Sequence, residues 1–200
     1  VESSKGVRTV VVPRGHQFSI GESTGTIAAA LAANSCVFAM RLDPGSTLRA
    51  FIDAVEMRWT TIVAFTTPVT AGRRLALFRG SNAAASGGTA IATVAPKSTA
   101  FAASEFDAAS GGDVRIASTG ALTVTGITWE TTPLATITLA HVGAAGAYYE
   151  ADYHFSDGDG GPIQLEPGQV LGIRNPAAMD AAGTWQLGVA VHWREAAQIA

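Results

Sequence analysis

Two glycine-framed stretches hold the groupings that come nearest to chemistry. In Asp157-Gly158-Asp159-Gly160-Gly161, two carboxylates stand one residue apart in a turn-forming run, and such oxygens could ligate Ca²⁺. The spacing of an EF-hand is incomplete, because no acidic residue stands where the loop would have to close. Asp157 and Asp159 are therefore read as a tight solvated turn, with metal binding as the weaker candidate and no cofactor expected. The second stretch, Gly21-Glu22-Ser23-Thr24-Gly25, satisfies the expression GxSxG. A nucleophile elbow also needs a strand before the serine, a helix after it and a parallel sheet, and none of these is convincing here. Ser23 is not expected to be a nucleophile, and the chain is not expected to be an enzyme.

The remaining reactive side chains are scattered. His16, His141, His154 and His192 lie far apart, and no two share metal-ligand spacing on one element. Glu130, Glu150, Asp152 and Glu166 supply carboxylates, but nothing in their spacing assembles the facing pair that glycoside hydrolysis requires. Trp129, Tyr148, Tyr149 and Tyr153 could line a sugar-binding surface, and Trp129, Tyr149 and Tyr153 are the candidate glycan or partner contacts. For Tyr149 and Tyr153 the ordinary role is cross-strand packing. Cys36, the single cysteine, excludes an internal disulfide and reads as a small buried hydrophobe.

The elements that would position these residues are strands. In residues 184–194, Trp185, Leu187, Val189, Val191 and Trp193 alternate with Gln186, Gly188, Ala190, His192 and Arg194, the period of a half-buried strand. Residues 48–65 alternate likewise, with Asp53 and Thr61 interrupting one face and Glu56 and Arg58 on the other. That pattern predicts a long strand covered in part on both sides or bent by a bulge, and its β-rich end outweighs a competing helix over 46–59. Shorter strands are expected over 7–12, 35–42, 74–78, 89–94, 113–117, 134–140, 148–155, 162–165 and 169–174. Turn-formers such as Asp43-Pro44-Gly45 and Glu166-Pro167-Gly168 separate them. Residues 28–33 are open between a short helix and a strand. The echo of Ala84-Ala85-Ser86-Gly87-Gly88 in Ala108-Ala109-Ser110-Gly111-Gly112 indicates similar loops at two strand entries. Residues 81–112, rich in Ala, Ser, Thr and Gly, have little to bury alone and are expected to order against a neighbour.

Many short strands joined by turns predict an all-β fold, an antiparallel sandwich of jelly-roll kind. The expected organisation is an N-terminal arm over 1–15 and a single sandwich domain over 16–200. Charged residues make up only 14% of the 200, so little of the surface resists burial against partners. The net charge of −3 and the absence of a Lys/Arg cluster argue against nucleic acid as a partner. No apolar run reaches the ~18 residues of a membrane span, and the first residues lack the order of a signal peptide, so no membrane partner is expected.

The runs Leu122 to Glu130, Pro133 to Leu139, Pro162 to Pro176 and Ala182 to Leu187, closing in Trp193-Arg194-Glu195, resemble small structural proteins of tailed-bacteriophage virions. The likeness covers about residues 113–195 and is one of strands and turns. It implies a virion location, a role decorating or cementing the capsid, and partners that are copies of the chain and other virion proteins such as the major capsid or tail proteins. The alternative it leaves is a tail-region or receptor-binding module that recognises host surface glycans.

Overall fold

Eight long strands follow from the alternating runs, and they pair in a nested order. A computed structural model describes residues 16–28, 30–66, 73–98, 100, 102–139, 143–155, 161–179 and 182–197. The expected arm over 1–15, its strand over 7–12, His141, Asp157 and Asp159 lie outside the described residues. The eight strands are β1 (His16–Ser23), β2 (Ser35–Arg41), β3 (Leu48–Val63), β4 (Arg73–Ser81), β9 (Ala135–Leu139), β10 (Tyr148–His154), β12 (Val170–Asn175) and β13 (Thr184–Ala197). Short strands β5 (Thr89–Ala90), β6 (Ala95–Pro96), β7 (Asp113–Ile116), β8 (Thr128–Trp129) and β11 (Ile163–Leu165) complete the sheets.

β1 pairs with β13, β2 with β12, β3 with β10 and β4 with β9, all antiparallel. A chain that pairs its strands from outermost to innermost is one long hairpin, and rolling that hairpin up gives two sheets. Their orders are β1-β13-β3-β10 and β2-β12-β4-β9, the strand order of a jelly roll. The turn Glu166-Pro167-Gly168-Gln169 carries the chain from β11 in one sheet to β12 in the other. Gln169 N–H donates to the Glu166 carbonyl at 2.9 Å, and Gly168 takes φ +79, as a type II turn requires at its third position.

The faces fall largely as the alternation predicts. Trp185, Leu187, Val189, Val191 and Trp193 are buried, and Trp59 stacks on Trp185 with centroids 4.0 Å apart. In β3 the pairing with β13 skips Asp53 and again skips Ile62, so each is a bulged residue. The first bulge exchanges the roles of two neighbours. Ile52 is fully buried where simple alternation from Val55 places Phe51, and Phe51 is only half-buried.

Several expectations need correction. β1 is a strand the sequence reading did not anticipate, and it runs through the Gly21 to Ser23 part of the GxSxG stretch. Its hydrophobic signal is just Phe18 and Ile20, too short to show a period. Described residues between 28 and 33 form neither helix nor strand, and Ala30 adopts a left-handed φ of 66. The strand expected over 89–94 shrinks to Thr89–Ala90.

The described residues of 81–112 have anchors within the chain that the composition hid. Phe106 is fully buried edge-on to Trp193, with centroids 5.3 Å apart. Asp107 accepts from Val94 N–H at 2.8 Å, and Glu195 accepts from the Ser104 hydroxyl. Through these anchors β6 covers the edge of β1, while β7 covers the edge of β2. The two echoed loops lead into β5 and β7, which pair with each other.

Candidate functional site

The six-stranded sheet presents its polar face outward, and strand register sets that face in rows. Tyr148, Thr60 and Gln186 form one row across β10, β3 and β13. Glu150, Arg58, Gly188 and Ser23 form the next, and Asp152, Glu56, Ala190 and Gly21 the third, each now including β1. His154, Ala54, His192 and Ser19 form the fourth. All of these alternate with the buried Trp59, Met57 and Val55.

A chain of polar contacts crosses the rows. Tyr148 Oη donates to Glu150 Oε2 at 2.7 Å, Arg58 Nε donates to Glu150 Oε1 at 2.9 Å, and Arg58 Nη2 donates to Glu56 Oε2 at 3.2 Å. His192 Nε2 lies 3.5 Å from Glu56 Oε1. The Tyr148 hydroxyl, followed by Arg58, holds the Glu150 carboxyl below the usual carboxylate range. The same bond to Glu150 raises the Tyr148 hydroxyl. Farther along, Arg194 grips Asp53 with bonds of 2.7 to 3.1 Å, locking the bulge in place.

Beside this chain lies a groove of about 420 Å³. Gly21, Gly188 and Ala190 leave its floor bare, while Ser23, Glu56 and Arg58 stand around it. The sequence reading did not assemble it. Its signal was present as Gly188 and Ala190 on the polar side of the last strand, but only register sets them beside Glu56 and Arg58.

The residues singled out from sequence are dispersed. Trp129 lies on β8, across Gly80 and Gly172, where an added Cβ would collide with its ring. The Arg174 guanidinium sits 4.8 Å from the Trp129 centroid and 5.0 Å from that of Phe78. Tyr149 and Tyr153 belong to the other sheet, opposite Trp59 and Val55 on β3. Tyr153 donates from its hydroxyl to the Thr136 carbonyl at 2.9 Å and stacks on Phe155, while Tyr149 is 41% exposed. The three aromatics thus sit on two sheets.

The other candidates also separate. Glu130 pairs with Arg79 at 2.7 Å and Glu166 with Arg49 at 2.6 Å, away from Glu150 and Asp152. His154 and His192 flank Ala54, with Cα atoms two strand spacings apart, about 10 Å. Among the described residues no group of His, Cys, Asp and Glu could hold a metal ion. Ser23 ends a strand in an antiparallel sheet, and Ile27 bridges back to Trp185, so the elbow geometry is missing around it. Cys36 is fully buried, with its Sγ donating to the Phe38 carbonyl at 3.1 Å, and burial pushes its thiol up to about 12.

A second surface has the opposite character. Among the described residues from 82 to 133, the exposed side chains are almost all Ala, Ser, Thr and Gly, and only Lys97 and Glu130 are exposed and charged. This flank is the excursion between β4 and β9, and it runs along the β1, β2 and β4 edges rather than over a single face. No protein-family model matches the chain, and no curated protein matches it.

Proposed function

We propose that the chain is a non-enzymatic structural component of a virion, decorating or cementing a tailed-phage capsid, and that the uncharged flank is its packing surface. The observation that carries this reading is the near absence of exposed charge among the described residues of 82–133. Burying a charge requires desolvation, and burying Ala, Ser or Gly fixes almost no rotamers, so this surface associates at low cost. The jelly roll serves virus capsid domains and lectins alike, so the fold leaves the choice to the surface.

Mixing the purified protein with shells of the phage that encodes it tests the proposal. Attachment is expected at a fixed stoichiometry and is lost when Ala92→Glu and Ala121→Glu place charge on the flank. Undiminished attachment of the double variant, or none by the unaltered protein, overturns it.

A second reading, recognition of host glycans from the tail region, is favoured by the polar groove on the six-stranded sheet. A groove of about 420 Å³ falls within the roughly 300–1,000 Å³ typical of small-molecule sites.

A further inference from the structure

Two glycines on the polar face have no role in the fold. Gly21 and Gly188 lie inside β1 and β13, and neither is among the glycines with positive φ. A Cβ added at Gly21 would meet nothing within 4 Å. At Gly188 it would make ordinary contacts, 3.5 Å from Arg58 Cβ and 3.6 Å from Ser23 Oγ. Gly80 and Gly172 differ, since there a Cβ collides with Trp129. Glycine inside a strand is weaker than alanine by roughly 0.5–1 kcal/mol. Where sterics do not require it, it marks a place where something approaches the backbone closely.

The surroundings choose what approaches. Around the bare floor, Arg58 donates, Glu22 and Glu56 accept, and the Ser23 hydroxyl does both. Arg58 is held by Glu150 and Glu56, so its guanidinium is already oriented. An anionic ligand would face the Glu22 and Glu56 carboxylates, and a cationic one would meet Arg58. An apolar ligand finds only the Ala190 methyl, because Val189 turns its own side chain into the core. Hydroxyls on adjacent carbons, each able to donate and accept, satisfy this mixed lining.

We propose that the groove over Gly21, Gly188 and Ala190 binds a neutral saccharide, with Ser23, Glu56 and Arg58 making its polar contacts. This rests on the recognition reading, moves its site away from Trp129, Tyr149 and Tyr153, and is independent of assembly through the flank.

The test is a glycan array of neutral, anionic and amino saccharides, read with the unaltered protein, Gly21→Val and Trp129→Phe. Sedimentation and thermal unfolding are run on each. Val suits a strand and fits the open space, so Gly21→Val is expected to keep or raise the melting temperature while weakening neutral-saccharide binding at least tenfold. Trp129→Phe is expected to bind as the unaltered protein does. If the unaltered protein binds no glycan, the recognition reading and this site both fall. If it binds and Gly21→Val binds equally well, or if it prefers charged saccharides, the site falls while recognition stands. A change in oligomeric state on Gly21→Val with binding intact would assign the bare floor to a second copy of the chain and overturn the proposal.

Discussion

Ser104 and Glu195 join the excursion after β4 to the last strand through a hydrogen bond of 2.5 Å. The same carboxyl accepts from Trp193 Nε1 at 2.9 Å and from Glu105 N–H at 3.0 Å, so one buried side chain serves three donors on two segments. Burial nevertheless outweighs these donors and raises the Glu195 carboxyl above its ordinary range. A carboxyl whose folded pKa is raised favours the folded state while protonated. Its contribution is complete below the unfolded pKa and is lost as pH rises through the folded one. In denaturant unfolding across pH 4 to 8, the stability of the unaltered protein relative to Glu195→Gln should therefore fall as pH rises. Glu195→Ala, which orphans the donors, is expected to cost about 1–3 kcal/mol at low pH and less as pH rises.

The stacked pair Trp59 and Trp185 belongs to the core of the sandwich, and both rings are fully buried. Trp185→Ala leaves a cavity that neighbouring strands cannot close, with a loss of about 3–5 kcal/mol in chemical denaturation. Trp185→Phe should lose markedly less, because much of the ring contact survives.

Cys36 should be inert in the native protein. With its thiol pushed up to about 12 by burial, almost no thiolate exists at pH 8. Reaction with a thiol-specific disulfide reagent should be absent under native conditions and reach one equivalent in denaturant. Fast native labelling would contradict the packing around β2.

Gly172 is needed for Trp129 to lie across β12, because a Cβ there would overlap the indole ring. Gly172→Val should displace the ring from Arg174 and expose it. In a variant keeping Trp129 as the sole tryptophan close to the surface, emission should shift to longer wavelength and quench more readily. An unchanged spectrum would show that the ring is not held there.

The alternation of Trp185 through Trp193, the bulge-prone run of β3 and the Pro167-Gly168 turn made the all-β sandwich legible before any coordinates, because period two and turn chemistry are local properties of the chain. β1 was not legible, since two apolar residues establish no period. Nor were the anchors of residues 81–112: Phe106, Asp107 and Glu195 gain meaning only from partners about ten to ninety positions away.

The groove belongs wholly to that second kind. Gly21, Glu56, Arg58 and Gly188 come from three strands that the chain visits far apart, and the pairing of β1, β13 and β3 makes them neighbours. From the sequence alone came the strand period, the turn positions and the shortage of charge, each set by a residue and its near neighbours. Only the tertiary structure decided which glycines are demanded by sterics and which lie open, because that depends on what stands across the sheet.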